Sequence, residues 1–470
     1  MPSDSLEIAV IGAGYVGLTT AIVLAFLGHS VSIVEKNPEK LQKLSKGLVV
    51  IPENGLQELF DISKHRITIT NSIKLIENVD IIILCLGTPS TLEGEVNANA
   101  LELVTSEIAQ KLKKNHSYTI IVKSTVQIGT SGRIFSIIKN NFRFSDKFLR
   151  VNIVSNPEFL RESFAVYDTL FPERIVIGAE SEPGFEVIEK MYESVINRSF
   201  ILPDILSSGI DTKSFSINSQ VLNIPRRKPI VVRTDRTSAE MIKYAANAFL
   251  ALKISFINEI AGLCEKIGAD VLDVAKGIGS DSRIGSKFLQ AGLGWGGSCF
   301  PKDLRALQSL GLEYNYPLLL TKAAETVNNL QKFHIFEKIQ QRLKVPRGKV
   351  ILVLGVSFKA NTVDIRDSPS IGLIELLAAR GSYVRVHDPE AINYVREIFV
   401  SSDISLHSNL EIAFEGADAV VIATDWDVYR TLDWESYCKS MSRPIIFDTR
   451  NLLAGVDLSH LDIEYVGVGR

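Results

Sequence analysis

Hydrophobic and polar positions alternate along this chain in blocks. Short continuous apolar runs, each flanked by glycine or polar residues, are separated by stretches in which apolar positions recur every three or four residues. Leu6–Ile11, Ser30–Val34, Asp80–Leu86, Thr119–Lys123 and Asn152–Val154 predict buried strands, and Tyr15–Leu27 predicts a helix. Strands without polar alternation, spaced by helices, point to a parallel sheet covered on both faces. The pattern breaks over residues 203–236, a polar, serine-rich stretch read as a loop insertion or linker.

Thr237-Ser-Ala-Glu240 then has the form of a capping box. It opens a helix predicted to run to about Gly268, long enough to bridge domains or to pair with its copy in a homodimer. A second alternating block begins at Lys349. Val350–Leu354, Tyr383–His387, Ala419–Ala423 and Pro444–Asp448 predict strands and Ile371–Ala379 a helix. The expected fold class is therefore α/β, with two Rossmann-like doubly wound domains joined by a long central helix. Its segments are 1–203 for a dinucleotide, 204–236 as insertion or linker, 237–330 as a central helical domain with a reactive cysteine, and 331–470 as a second nucleotide-binding α/β domain.

Composition narrows the class. The chain of 470 residues is 46% hydrophobic and 22% charged, a globular balance with room for more than one core. A net charge of −3 supplies no basic field for nucleic acid or anionic lipid, so neither is expected as a partner. The N-terminus lacks the form of a signal peptide, and apolar runs such as Asp80–Gly87 are too short to span a bilayer. Cys85, Cys264, Cys299 and Cys438 show no metal-ligand spacing, so no metal is expected. Cys85 and Cys264 read as buried thiols of a cytoplasmic protein.

Two stretches carry candidate chemistry. Gly12-Ala-Gly14-Tyr15-Val16-Gly17 follows a strand and opens a helix, which is the context of a dinucleotide fingerprint. Glu35 ends the next strand 18 residues after Gly17, where a carboxylate meets ribose hydroxyls and repels a 2′-phosphate, favouring NAD. Further on, Gly292-Leu-Gly-Trp-Gly296-Gly-Ser-Cys299-Phe-Pro-Lys302-Asp303 places a thiol just before a predicted helix N-terminus, beside a lysine. Both features favour thiolate. Its glycines are expected to let backbone approach a ligand. Asp303 would return to the thiol's side of the turn as a base or water-positioning group.

Lys243 and Asn247, four apart on the long helix, share a face and could hold an oxyanion. Asn156-Pro157-Glu158-Phe159-Leu160-Arg161-Glu162 and Lys123-Ser-Thr125 each follow a strand, at the edge where α/β ligands sit. Pro157 is expected to end its strand and expose two carboxylates and a guanidinium. Taken singly, each of these features also fits a helix cap, a surface ion pair or a buried thiol.

Together, and in this order, they resemble the UDP-glucose/GDP-mannose 6-dehydrogenase family over nearly the whole chain. Arg283-Ile-Gly285, Phe358-Lys359 and Arg366 complete the set. The resemblance implies NAD-dependent, four-electron oxidation of a nucleotide sugar's C6 alcohol to a carboxylate, through a thiohemiacetal and a thioester on Cys299. It implies that Thr125 and Asp303 hold a water that accepts a proton, and that Glu158 activates the hydrolytic water. Lys243 and Asn247 would stabilise oxyanions, and Glu162 joins the catalytic set.

The NAD set implied is Gly12, Gly14, Tyr15, Val16, Gly17, Glu35, Lys40, Thr88, Thr125, Glu162, Lys302 and Arg366. The nucleotide-sugar set is Glu158, Phe159, Leu160, Arg161, Lys243, Asn247, Arg283, Phe288, Leu289, Gly296, Cys299, Phe358 and Lys359, with Arg283 reaching a neighbouring subunit's site. UDP-glucose oxidised to UDP-glucuronate is the favoured substrate within the family, over GDP-mannose and UDP-N-acetylhexosamines. Two readings from other classes stand beside it: a two-electron hydroxyacid-type dehydrogenase, and a non-catalytic nucleotide-sugar binding protein.

Overall fold

A computed structural model describes residues 5–89, 96–113, 116–141, 150–203 and 227–470. The chain forms two compact units, Met1–Ala245 and Ala246–Arg470. The first holds an eight-stranded sheet: β1 (Glu7–Ile11), β2 (Ser30–Val34), β3 (Ile67–Thr70), β4 (Ile81–Leu84), β5 (Ser117–Val122), β6 (Arg150–Ser155), β7 (Arg174–Gly178) and β8 (Ile230–Thr234). Their order is β3-β2-β1-β4-β5-β6-β7-β8. Neighbours are parallel except β6 and β7, which meet antiparallel at Ser155 and Gly178.

Side chains alternate across the sheet, so β1 feeds two cores. Ile8 and Val10 join one cluster with Ile81 and Ile83, while Ala9 and Ile11 join another with Ile82 and Leu84. Burial on both faces explains why these strands read as continuous apolar runs, each large side chain contributing about 1.5–3 kcal/mol.

The second unit repeats the plan with six parallel strands: β9 (Val350–Leu354), β10 (Tyr383–His387), β11 (Ile404–Leu406), β12 (Ala419–Ile422), β13 (Ile445–Asp448) and β14 (Glu464–Gly467). The order β11-β10-β9-β12-β13-β14 matches the first six strands of the first sheet. Each sheet thus changes direction between its first and fourth strands, and the carboxyl-end crevice there is where dinucleotide folds seat ligands. Both units are Rossmann-like. The helix Arg236–Ile267, 32 residues long, begins in the first and continues into the second. The helix Leu319–Leu343 runs unbroken through position 330.

Two local expectations are corrected. Residues 230–234, read as part of a loop, form β8, whose β-branched Ile230-Val231-Val232 pairs with β7. Positions 204–226 of the expected insertion lie outside the described residues. The capping box is not formed. Asp235 caps the long helix by accepting from the Ser238 amide at 2.8 Å. Glu240 instead accepts from the Gly129 and Ser131 amides at 2.5 and 2.9 Å. By length and composition the long helix could cross a membrane, with 44% of its most apolar window buried. Its Ser255 hydroxyl donates to the Ala324 carbonyl, and Asn258 Oδ1 accepts from the Gly292 amide, as in a core helix.

Candidate active site

In the first unit the candidate residues gather at the carboxyl ends of β1, β2, β4, β5 and β6. Gly12 turns the chain after β1 with φ +99°, and a Cβ on it would meet the Cys85 carbonyl at 2.7 Å. A Cβ on Gly17 would fall on the Gly12 carbonyl. These two glycines are required by packing. Gly14 differs: among the described residues no heavy atom lies within 4 Å of where its Cβ would stand. It is also the N-cap of the helix Tyr15–Phe26, which has no side-chain cap and no acidic residue in its first turn. Open space before unshielded helix amides suits a pyrophosphate.

Glu35 accepts from the Ala13 amide at 3.0 Å and from the Asn37 amide at 2.8 Å, which fixes the carboxylate beside the fingerprint. Lys36 turns to Glu107, 3.2 Å away. Lys40, half-buried, lies in the first turn of the helix Pro38–Ser45. Thr88 donates to the Thr125 carbonyl at 2.6 Å, joining the ends of β4 and β5. Tyr15, Val16, Thr125 and Glu162 are half-buried.

Lys243 reaches Glu158 Oε1 at 2.9 Å, and both side chains are buried. Glu158 also accepts from the Leu160 amide at 2.5 Å. Burial alone would raise the Glu158 pKa, but the Lys243 ammonium and the hydrogen bonds outweigh it and hold the carboxyl below its usual range. The expectation that Pro157 exposes this carboxylate is therefore corrected: Glu158 turns inward, where the buried Lys243 cation compensates its charge. Arg161 is exposed but its guanidinium forks onto Asp168 at 2.7 and 3.0 Å. Phe159 lies under Arg174, 3.9 Å from ring centre to guanidinium, with Lys243 at 5.4 Å. Lys123, buried, donates to Asn156 Oδ1 at 3.1 Å.

In the second unit, exposed Cys299 is the N-cap of the helix Phe300–Glu313. Cys85, Cys264 and Cys438 are buried, and burial pushes the Cys85 thiol up to about 12 and Cys438 to about 11. The Ser298 hydroxyl lies 3.6 Å from the Cys299 sulfur. Asp303, one turn on, is 1% exposed and accepts from Asn247 Nδ2 at 2.6 Å. Lys302 Nζ stands 3.1 Å from its other oxygen.

The glycines before Cys299 are also needed for packing within their own unit. A Cβ on Gly294 would meet Asn328 Oδ1 at 2.5 Å, and one on Gly296 would fall on the Asp367 carbonyl. They let the loop lie against the unit's own backbone. The Gly297 amide donates a hydrogen bond to the Arg366 carbonyl at 2.9 Å, and the Arg366 guanidinium pairs with Asp364. Arg450, which sequence reasoning missed, donates to the Gly294 carbonyl at 3.0 Å and leaves Nη2 buried without a hydrogen-bond partner. Its only sequence signal was position after a strand, at Asp448-Thr-Arg450.

The remaining candidates scatter. Arg283 is 88% exposed and pairs with Asp281. Phe288 holds φ +64° with its ring 6.4 Å from that of Phe300, and Leu289 is buried in the core. Phe358 and Lys359 follow β9 at the second sheet's crevice, half-buried. Among the described residues no group of three or more acidic, histidine or cysteine side chains could hold a metal.

A fingerprint-bearing Rossmann fold followed by a long helix and a second fold of the same order defines an NAD-dependent oxidoreductase of two nucleotide-binding domains. The chain belongs to the UDP-glucose/GDP-mannose dehydrogenase family: residues 6–196 match its NAD binding domain, 237–330 its central domain and 352–455 its UDP binding domain. It is an NAD-dependent nucleotide-sugar 6-dehydrogenase. It is 37% identical over 468 residues to UDP-glucose 6-dehydrogenase YwqF of Bacillus subtilis (strain 168), covering 99% of this chain and 98% of that one. It is 38% identical over 474 residues to the UDP-glucose 6-dehydrogenase of Rhizobium meliloti (strain 1021), covering 99% and 100%. A solved UDP-glucose dehydrogenase from the hyperthermophilic archaeon Pyrobaculum islandicum superposes with a TM-score of 0.84 at 30% identity, covering 100% and 98%. A UDP-D-ManNAc dehydrogenase from Pyrococcus horikoshii superposes with a TM-score of 0.80 at 25% identity, covering 99% of each chain.

Proposed function

We propose that this enzyme oxidises the C6 alcohol of UDP-glucose to the carboxylate of UDP-glucuronate, with Cys299 as a covalent nucleophile. The observation that carries the reading is the one exposed thiol among the four cysteines, at a helix N-terminus one turn before the buried Asp303–Asn247 pair. The identity with UDP-glucose 6-dehydrogenases over 99% of the chain supports the choice of sugar.

NAD, when bound, supplies the hydride acceptor for each of two oxidations. Gly12, Gly14, Tyr15, Val16, Gly17, Glu35, Lys40, Thr88, Thr125, Glu162, Lys302 and Arg366 hold it in this reading. The protein's own groups do the rest. Thr125 and Asp303 position the water that takes the alcohol proton. The Cys299 sulfur adds to the aldehyde, and oxidation of that thiohemiacetal leaves a thioester. Glu158, already ionised by Lys243, draws a proton from the water that hydrolyses it. Lys243 and Asn247, one turn apart on the long helix, stabilise the oxyanions. Phe159–Arg161, Phe288–Leu289, Gly296, Phe358 and Lys359 hold the nucleotide sugar.

The long helix exposes Phe249, Phe256 and Leu263, seven residues apart, as an apolar stripe. That spacing supports a homodimer formed through this helix, with Arg283 serving a neighbouring site. A cytoplasmic location follows from nucleotide substrates and thiol chemistry.

Incubating the enzyme with UDP-glucose and NAD, counting NADH and identifying the product tests the reading. Two NADH per sugar and UDP-glucuronate are expected. One NADH with free aldehyde would make it a two-electron dehydrogenase, and faster turnover of GDP-mannose or a UDP-N-acetylhexosamine would replace the sugar. Binding without turnover would leave only a nucleotide-sugar binding protein.

A further inference from the structure

Ser163 directly follows Glu162 and holds φ +69°, a left-handed conformation that non-glycine residues rarely keep without external support. Two residues from distant parts of the first unit supply that support. The Ser163 amide donates to the Tyr15 hydroxyl at 2.6 Å, and its carbonyl accepts from Asn54 Nδ2 at 3.4 Å. Tyr15 in turn donates to the Glu53 carboxylate, whose other oxygen accepts from the Val166 amide at 3.4 Å. Tyr15 is also the first residue of the fingerprint helix, adjacent to the open Gly14. The hydroxyl therefore ties the dinucleotide turn to the loop that carries Glu158 and Glu162.

We infer that Glu53 and Tyr15 are positioning residues: Glu53 orients the Tyr15 hydroxyl, which holds Ser163 in its strained conformation and thereby sets the Glu158–Glu162 loop for catalysis. The inference rests on the proposed reading that this loop serves the reaction. In the proposed reading Tyr15 serves NAD through its backbone amide at the helix N-terminus, which Tyr15→Phe retains, so the hydroxyl itself does not need to touch cofactor or sugar. Its removal should lower kcat while leaving NAD affinity nearly intact. A residue that takes positive φ unaided should compensate for the lost clasp.

The test compares the full-length wild type with Tyr15→Phe, Glu53→Ala, Glu53→Gln and the double variant Tyr15→Phe/Ser163→Gly. Tyr15→Phe and Glu53→Ala are expected to lose about ten- to a hundredfold in kcat, the scale of a misplaced catalytic group. NAD affinity by titration should change less than about threefold, since the backbone anion site is untouched. Glu53→Gln keeps an acceptor oxygen and should retain most of the rate, and the added Ser163→Gly should restore most of what Tyr15→Phe loses. Without ligands, amide exchange at residues 159–166 should quicken in Tyr15→Phe. Wild-type kcat in Tyr15→Phe, equal losses in rate and NAD affinity, or no recovery with Ser163→Gly would each overturn the inference. If Tyr15→Phe does not fold, Glu53→Ala against Glu53→Gln decides the matter. A wild type that oxidises no nucleotide sugar defeats the functional reading and this inference with it; an active wild type with indifferent variants defeats this inference alone.

Discussion

Lys243 and Glu158 form an ion pair at 2.9 Å with side chains only 5% and 8% exposed, although 85 residues separate them. Each is the other's compensation for burial, so removing one strands a charge, at a cost of about 3–5 kcal/mol. Glu158→Gln and Lys243→Ala should therefore lower stability to denaturant as well as activity, and urea unfolding measures the loss. A neutral change under about 1 kcal/mol would mean that the pair opens to water.

Acid should reveal the same pair. The folded carboxyl titrates below its usual range, so its contribution is complete above about pH 4.3, the ordinary glutamate value, and is lost as pH falls through the folded value. Lys243→Ala reverses the sign: an unpaired buried Glu158 titrates high, so the variant's deficit should grow as pH rises from the ordinary glutamate value, about 4.3, towards the raised folded value, and level off above it. Denaturation midpoints at a series of pH values distinguish the two slopes.

Glycines 14 and 17 should separate binding from folding. Gly14→Ala projects into open space and should raise KM for NAD with the melting temperature within a few degrees of wild type, since an unpacked site costs under about 0.5 kcal/mol. Gly17→Ala meets the Gly12 carbonyl and should unfold the protein more easily, a result read by thermal denaturation.

A limiting amount of thiol reagent should modify Cys299 first and abolish acid formation. Cys85 and Cys438, buried with raised pKa values, should react only after unfolding. Peptide mapping of the labelled site checks the order. Prior saturation with nucleotide sugar should slow the labelling.

The stripe of Phe249, Phe256 and Leu263 predicts a second copy. Phe256→Glu should shift the sedimentation coefficient from dimer to monomer, because a charge within a buried apolar seam costs several kcal/mol. A wild type that sediments as an active monomer would end the dimer proposal.

Much of this protein is written locally in its sequence. The strands β1, β4, β9 and β12 read as apolar runs because helices cover both faces of their sheets, and the fingerprint was visible because Gly12 turns the chain directly after β1 and Gly17 packs on the Gly12 carbonyl five residues back. The position of Cys299 before a helix followed from Pro301 in its first turn. What the tertiary structure alone decided are partners. Glu240 abandons its local cap for amides 111 and 109 residues away, and Glu158 turns inward because Lys243 is there to meet it. The glycines of the cysteine loop answer to Asn328 and Asp367, and Ser163 is held by Tyr15 across 148 residues. Periodicity and turn chemistry act over one or two turns of chain and survive in one dimension. Pairing of buried charges and strained backbone depends on which distant segments packing brings together, and no local pattern encodes that.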